Sequence, residues 1–219
     1  MGNMPCSTLF DPSFQGIPAV VLGTGPSLAG QIELITRLRR ENKIRIFGVN
    51  QTWRDLPVDV TISCDPALNR FYGKIEGPFI HWHWSKEICA EFGYNYIEGV
   101  WVDGLWLKDK SKISLNHCSS AQALNLAVHY GCSPLLLCGH DFVYSEGVPR
   151  HYFTGLSDVP GEYPEQLRKW SKFQKPDGND LFATYQKIAN QEGRPTIINC
   201  TPGSALRHFP MGDLADYDG

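Results

Sequence analysis

Short apolar runs, each halted by glycine, asparagine or aspartate and most followed by a helical stretch, constrain this chain more than any other feature. Residues 17–22 (IPAVVL) stop at Gly23-Thr24-Gly25, and residues 44–49 (IRIFGV) stop at Asn50. Residues 58–63 (VDVTIS) stop at Cys64-Asp65-Pro66, and residues 134–138 (PLLLC) at Gly139-His140-Asp141. Runs this short and this apolar fit strands buried on both faces. Between them, Leu28, Ile32, Ile35 and Leu38 recur at helical spacing within residues 27–40. Residues 119–130 (SSAQALNLAVHY) form a second clear helix, with Gly131 placed as its C-terminal cap. Strands at 78–82 and 195–199 and helices at 86–91, 164–173 and 180–191 complete the expected set. Strand and helix alternating in this way predict an α/β chain: a Rossmann-like open, mostly parallel sheet with helices on both faces. Residues 143–178, rich in glycine, proline, tyrosine and charge, are expected to form a lid-like insertion in a single domain spanning 1–219. Residues 211–219 read as an acidic tail that frays.

Charge narrows the function. Lys and Arg number 20 against 23 Asp and Glu, a formal net charge of -3. No broad basic surface for nucleic acid is implied, so an anionic ligand must be held by backbone N–H groups and a few local donors. Seven cysteines without a C-x-x-C pair suit a reducing, cytoplasmic setting. The opening residues lack the pattern of a secretory signal, and no apolar run has the length of a membrane span, so no membrane partner is expected. Four of the six tryptophans (Trp82, Trp84, Trp101, Trp106) cluster. They suit stacking on a flat ring, core packing or a homo-oligomer surface.

The polar residues at strand ends are the candidate site, because ligands of open parallel sheets bind beyond the carboxyl ends of the strands. Gly23, Thr24, Gly25 and Ser27 link a strand directly to a helix start, where free N–H groups and the helix dipole favour phosphate. Neither a Walker A loop nor the full G-x-G-x-x-G fingerprint is present, since Leu28 stands where its last glycine belongs. Asn50 can donate to and accept from a ribose, base or phosphate. Asp65 and Asp141 are candidate catalytic carboxylates and candidate Mg²⁺ ligands. Ser119 and Ser120 open the best helix and can cap it or bind an anion there. His151, with Tyr152, falls in the expected lid and suits acid–base chemistry near neutral pH. Thr201 follows the last strand and can bind a ligand or cap a turn. His81 and His83 share a strand face, where aromatic packing is the preferred reading over a zinc site with His140 or His151.

AVVLGTGPSL at 19–28, Asn50, PVDVTISCD at 57–65, SSAQALNLAVHYG at 119–131, LLLCGHDF at 135–142 and NCTPGSAL at 199–206 occur together in this order. The set resembles archaeal-type 6-hydroxymethyl-7,8-dihydropterin pyrophosphokinases, and also the flagellin-modifying motility accessory factors and bacterial family 42 sialyltransferases. Resemblance to the first implies pyrophosphate transfer from ATP, with Gly23, Gly25 and Ser27 on phosphates and Asp65 and Asp141 serving Mg²⁺ or substrate. Resemblance to the sialyltransferases implies that Gly25 and Asn50 hold the nucleotide and that Ser119 and Ser120 lie near cytidine and sugar. It also implies that Tyr144 and Tyr152 lie near the leaving phosphate. The lid histidine of those enzymes has no counterpart in KFQKPDGNDLF at 172–182, which leaves His151 as the substitute, and their arginine before the serines is replaced by Asn116-His117-Cys118. The leading expectation is a nucleotide-dependent transferase moving a pyrophosphoryl or phosphoryl group from a nucleoside triphosphate to a small hydroxyl-bearing acceptor. The alternatives are a glycosyltransferase using a nucleotide sugar and a non-catalytic nucleotide-binding module.

Overall fold

The structure, a computed structural model, describes residues 10–63, 66–116, 118–143 and 180–219. The expected lid helix at 164–173 and most of the lid segment lie outside these residues. Seven parallel strands form the main sheet: β1 (Ala19–Leu22), β2 (Arg45–Val49), β3 (Val60–Ile62), β4 (Ile80–His83), β5 (Asn95–Tyr96), β8 (Leu135–Cys138) and β9 (Ile197–Asn199). Their spatial order is β5-β4-β3-β2-β1-β8-β9. The central strands are apolar because both of their faces are covered: all four residues of β1 and all four of β8 are buried. A second, two-stranded parallel sheet pairs β6 (Glu98–Val100) with β7 (Lys112–Ser114).

Alternation along the strands divides the core in two. Val21, Phe47, Val49, Val60, Ile62 and Trp82 share a cluster with α4 (Ser119–His129) and with Tyr185 and Ile188 of α5 (Asp180–Asn190). Val20, Leu22, Ile46 and Leu136 pack on the opposite face with Ile35 and Leu38 of α1 (Ile32–Arg40). Helices therefore cover both faces, as the alternation predicted. α4 is enclosed on two sides: its alanines and leucines meet the main sheet, while Asn125 and His129 bond the β6–β7 layer. Gly131 follows it with φ +78, the left-handed position read from the sequence.

Three expectations are corrected. The single helix at 27–40 is split: Pro26–Gly30 is a 3-10 turn, and the α-helix begins at Ile32. Pro66 starts a helix, α2 (Pro66–Tyr72), instead of only ending a strand. The acidic tail is docked, not frayed. Leu214 is buried against the α1 side of the core, and Arg37 binds Asp218 at 2.6 Å. Lys43 also donates to the Asp218 carbonyl. α3 (Lys86–Phe92) covers the β4 end of the sheet, where Ile88 and Cys89 meet Tyr94. No helix among the described residues is long and apolar enough to cross a membrane.

Candidate functional site

Strand order reverses between β1 and β8, since the chain adds β2 on one side of β1 and β8 on the other. In such sheets the crevice outside the carboxyl ends at the reversal is where ligands bind. The two glycine-containing loops that drew attention in the sequence meet there. Gly23 N–H donates to the Cys138 carbonyl at 2.7 Å, and Gly25 N–H donates to the Gly139 carbonyl at 2.8 Å. A Cβ on Gly23 would sit 2.2 Å from the Gly139 oxygen, and one on Gly25 would sit 1.9 Å from Asp141 Oδ2. Glycine is needed at both positions because the two loops touch, which is a packing reason and not by itself a ligand reason.

Asp141 completes the contact. Its Oδ1 accepts from the Ser27 backbone N–H at 3.1 Å, and its Oδ2 accepts from the Ser27 hydroxyl at 2.8 Å. A carboxylate of the chain itself thus sits at the helical turn where the sequence suggested a phosphate. Charge-assisted bonds of this kind contribute about 1.5–3 kcal/mol each. Thr24, half-buried, stands between the two glycines.

The next loop along the rim brings together two other predicted residues. Asn50 ends β2 with φ +50, a left-handed conformation that asparagine tolerates better than most residues. Its side-chain oxygen accepts from the Ser119 hydroxyl at 3.1 Å. Ser119 is the first residue of α4 and Ser120 the second, and the Cys118 thiol meets the Ser120 and Ala121 N–H groups at that helix start. The positive end of the helix dipole lies beside the Asn50–Ser119 pair.

Thr201 does not belong to an open rim. It is fully buried, accepts from His140 N–H at 3.0 Å and donates to the Leu137 carbonyl at 3.2 Å. Ser204 likewise donates to the His140 carbonyl at 2.6 Å, so the turn after β9 braces the loop after β8. Asp59, in the PVD element, is also structural. It takes Arg39 Nε on both oxygens at 2.8 Å and the Ile46 N–H at 2.8 Å, tying α1 to β2. Asp65, Tyr144, His151 and Tyr152 lie outside the described residues. The structure therefore does not place the expected Asp65–Asp141 pair or the expected lid residues. No group of three or more His, Cys, Asp or Glu among the described residues is arranged to hold a metal ion.

His81 and His83 pack as aromatics. His81 stacks on Tyr94 at 3.8 Å and 7°, and burial pushes it down to about 3. His83 accepts from Ser85 N–H on Nδ1, and burial pushes it down to about 4. Burial also raises the Cys118 thiol, against any thiolate nucleophile. Trp82 is a core residue whose Nε1 reaches the Tyr130 hydroxyl at 3.2 Å, while Trp101 is 65% exposed.

His140, within the strand-end element Gly139–Asp141, stands at the strand-order reversal. It is 3% exposed, its Nδ1 lies 3.1 Å from the Cys138 carbonyl, and its Nε2 has no partner among the described residues. Burial pushes its pKa down to about 4, so the ring is neutral at pH 7 with Nδ1 as the donor. Gln122 was missed altogether. It lies one turn into α4, buried, and its Oε1 has no partner among the described residues. Its spacing from Ser119, Asn125 and His129 was visible in the sequence, but the apolar residues around it drew the reading.

Compared with known proteins, the chain matches no family profile and no curated protein. Among solved structures it is similar to the MAf glycosyltransferase of Magnetospirillum magneticum AMB-1. It shares that enzyme's fold. The TM-score is 0.55 at 15% identity, over 91% of this chain and 34% of the other. The chain thus spans about a third of that structure's length. The likeness carries the α/β fold seen in that glycosyltransferase and does not single out the pterin pyrophosphokinases.

Proposed function

We propose that this chain is a nucleotide-sugar-dependent glycosyltransferase domain, with the nucleotide held at the Asn50–Ser119 pair and the start of α4. The observation that carries this reading is the Ser27–Asp141 contact. Phosphoryl transfer on a Ser27 phosphate loop, the leading expectation from sequence, needs Ser27 donors for phosphate and Asp141 for Mg²⁺. Ser27 instead gives both its N–H and its hydroxyl to Asp141. The start of α4, beside Asn50, is the other helix start at the strand ends, and its dipole favours an anion there.

In the proposed reaction an acceptor hydroxyl attacks the anomeric carbon of the sugar. The bond to the nucleotide phosphate breaks, the phosphate leaves with its electron pair, and the proton of the acceptor hydroxyl passes to water. The positive end of the α4 dipole stabilises the charge that develops on the leaving oxygen, with no requirement for a metal ion. The fold shared with a glycosyltransferase supports the same reading. Isothermal titration with CMP, UDP, ADP, GDP and ATP, with and without Mg²⁺, tests it. The expected result is metal-independent binding of a nucleotide that weakens in Asn50→Ala and Ser119→Ala, with release of that nucleotide from its sugar conjugate. Binding without turnover of any conjugate would leave a non-catalytic nucleotide-binding module. ATP binding that needs Mg²⁺, fails in Asp141→Asn and survives in Asn50→Ala would restore phosphoryl transfer.

A further inference from the structure

A polar stripe runs along α4. Ser119, Gln122, Asn125 and His129 are all buried and, at spacings of three, three and four, share one side of the helix. Further along, the stripe is fully paired with the β6–β7 layer. Asn125 Oδ1 accepts from Trp106 N–H at 2.8 Å and from Ser114 N–H at 3.1 Å, and its Nδ2 donates to the Trp106 carbonyl at 3.0 Å. His129 Nε2 meets the Lys112 carbonyl at 2.7 Å.

The pairing stops at the end of the stripe next to the site. Gln122 Oε1 and Asn116 Oδ1 have no partner among the described residues, although Gln122 is 1% exposed and Asn116 7%. The two residues flank Ser119, three positions after it and three before. The orientation of Asn116 follows from its neighbour. Ser114 Oγ donates its one hydrogen to the Val102 carbonyl at 3.0 Å, so it can only accept from Asn116 Nδ2, which lies 3.4 Å away. The Asn116 oxygen therefore faces away from Ser114. Buried acceptors left unpaired are costly, and native structures pair nearly all of them.

We propose that Asn116 and Gln122 form a neutral hydrogen-bonding subsite beside the Asn50–Ser119 pair, one that takes uncharged donor groups of the substrate; this rests on the nucleotide-sugar reading above. The Asn116 oxygen attracts hydroxyl or amino hydrogens and repels a carboxylate, and the neutral Gln122 amide adds no charge to offset that. The transferred sugar is accordingly an uncharged one if its hydroxyls fill the subsite. A nucleobase amino group is the other source of the same chemistry.

The test is isothermal titration of the wild type, Gln122→Met and Asn116→Leu with UDP, UDP-glucose, UDP-glucuronate, CMP and CMP-sialate. Glucose and glucuronate differ only in a hydroxymethyl against a carboxylate. The expected result is that UDP-glucose binds about fivefold or more tighter than UDP, equivalent to about 1 kcal/mol. The two carboxylated conjugates gain nothing over their bare nucleotides, and both variants lose the glucose gain. Weaker binding of bare UDP or CMP in the variants would support the subsite and assign it to the base. Unliganded Gln122→Met should melt at the same or a higher temperature, because it removes a buried unpaired oxygen. A gain specific to the carboxylated conjugates would overturn the proposal, as would unchanged affinity for every probe in both variants. Failure of all bare nucleotides to bind the wild type refutes the nucleotide reading itself and is seen separately.

Discussion

Acidification from pH 7 to pH 5 is expected to strip this protein of a large part of its stability through three buried histidines. His81 is held down to about 3, and His83 and His140 to about 4, in each case chiefly by burial. An unfolded chain takes up protons at these rings near pH 6.5, whereas the folded chain excludes them until the pH is far lower. The depressed folded pKa means that stability is complete above pH 6.5 and falls as the pH drops toward the folded values. Each ring costs about 1.4 kcal/mol per pH unit within that window. Between pH 7 and pH 5 this comes to about 2 kcal/mol per histidine, or about 5–6 kcal/mol for the three. That is comparable to the whole stability of an ordinary domain, about 5–15 kcal/mol. Urea unfolding followed by tryptophan fluorescence at both pH values measures the change. The variant His81→Phe keeps the stack on Tyr94, removes two ring nitrogens that have no partner among the described residues and should reduce the pH-dependent loss by about a third. An identical urea midpoint at pH 7 and pH 5 would refute the reasoning, as would an unchanged pH dependence in His81→Phe.

Other substitutions separate scaffold from site. Gly25→Ala forces a methyl to within 1.9 Å of Asp141 Oδ2 and should lower the melting temperature by prising the two loops apart. Thr201→Val leaves His140 N–H and the Leu137 carbonyl without their shared hydroxyl. A loss of about 1–3 kcal/mol in denaturant stability is expected, with nucleotide affinity unchanged in titration. Leu214→Ala should destabilise by about 2–5 kcal/mol if the tail is as firmly docked as its burial indicates. Proteolysis of the C-terminus at native pH would then accelerate in parallel.

The strands of the main sheet were legible because a parallel strand covered on both faces shows an uninterrupted apolar run. The region from 92 to 114 was not, since β5, β6 and β7 are only two or three residues long and carry no measurable period. The polar residues at strand ends were found, but not sorted. Asn50, Ser119 and Thr201 read alike, and only the fold shows that Thr201 faces inward to a carbonyl while Asn50 and Ser119 face each other. The break at Gln31 was equally hidden, because the partner of the Ser27 turn lies 114 residues further along the chain. α4 misled in another way. A helix covered on two sides buries polar and apolar residues alike, so its polar stripe does not announce itself as an exposed face.

The strand order also dictates an order of assembly during synthesis. β1 is central in the finished sheet, yet its neighbour β8 begins only at Leu135. Until those residues emerge from the ribosome, Ala19–Leu22 has one flank paired with β2 and the other bare. The nascent half-sheet therefore presents an apolar, unprotected edge, the kind that recruits strands from other chains. A fragment ending before Leu135 should self-associate through that edge, and β8 acts as the segment that seals it.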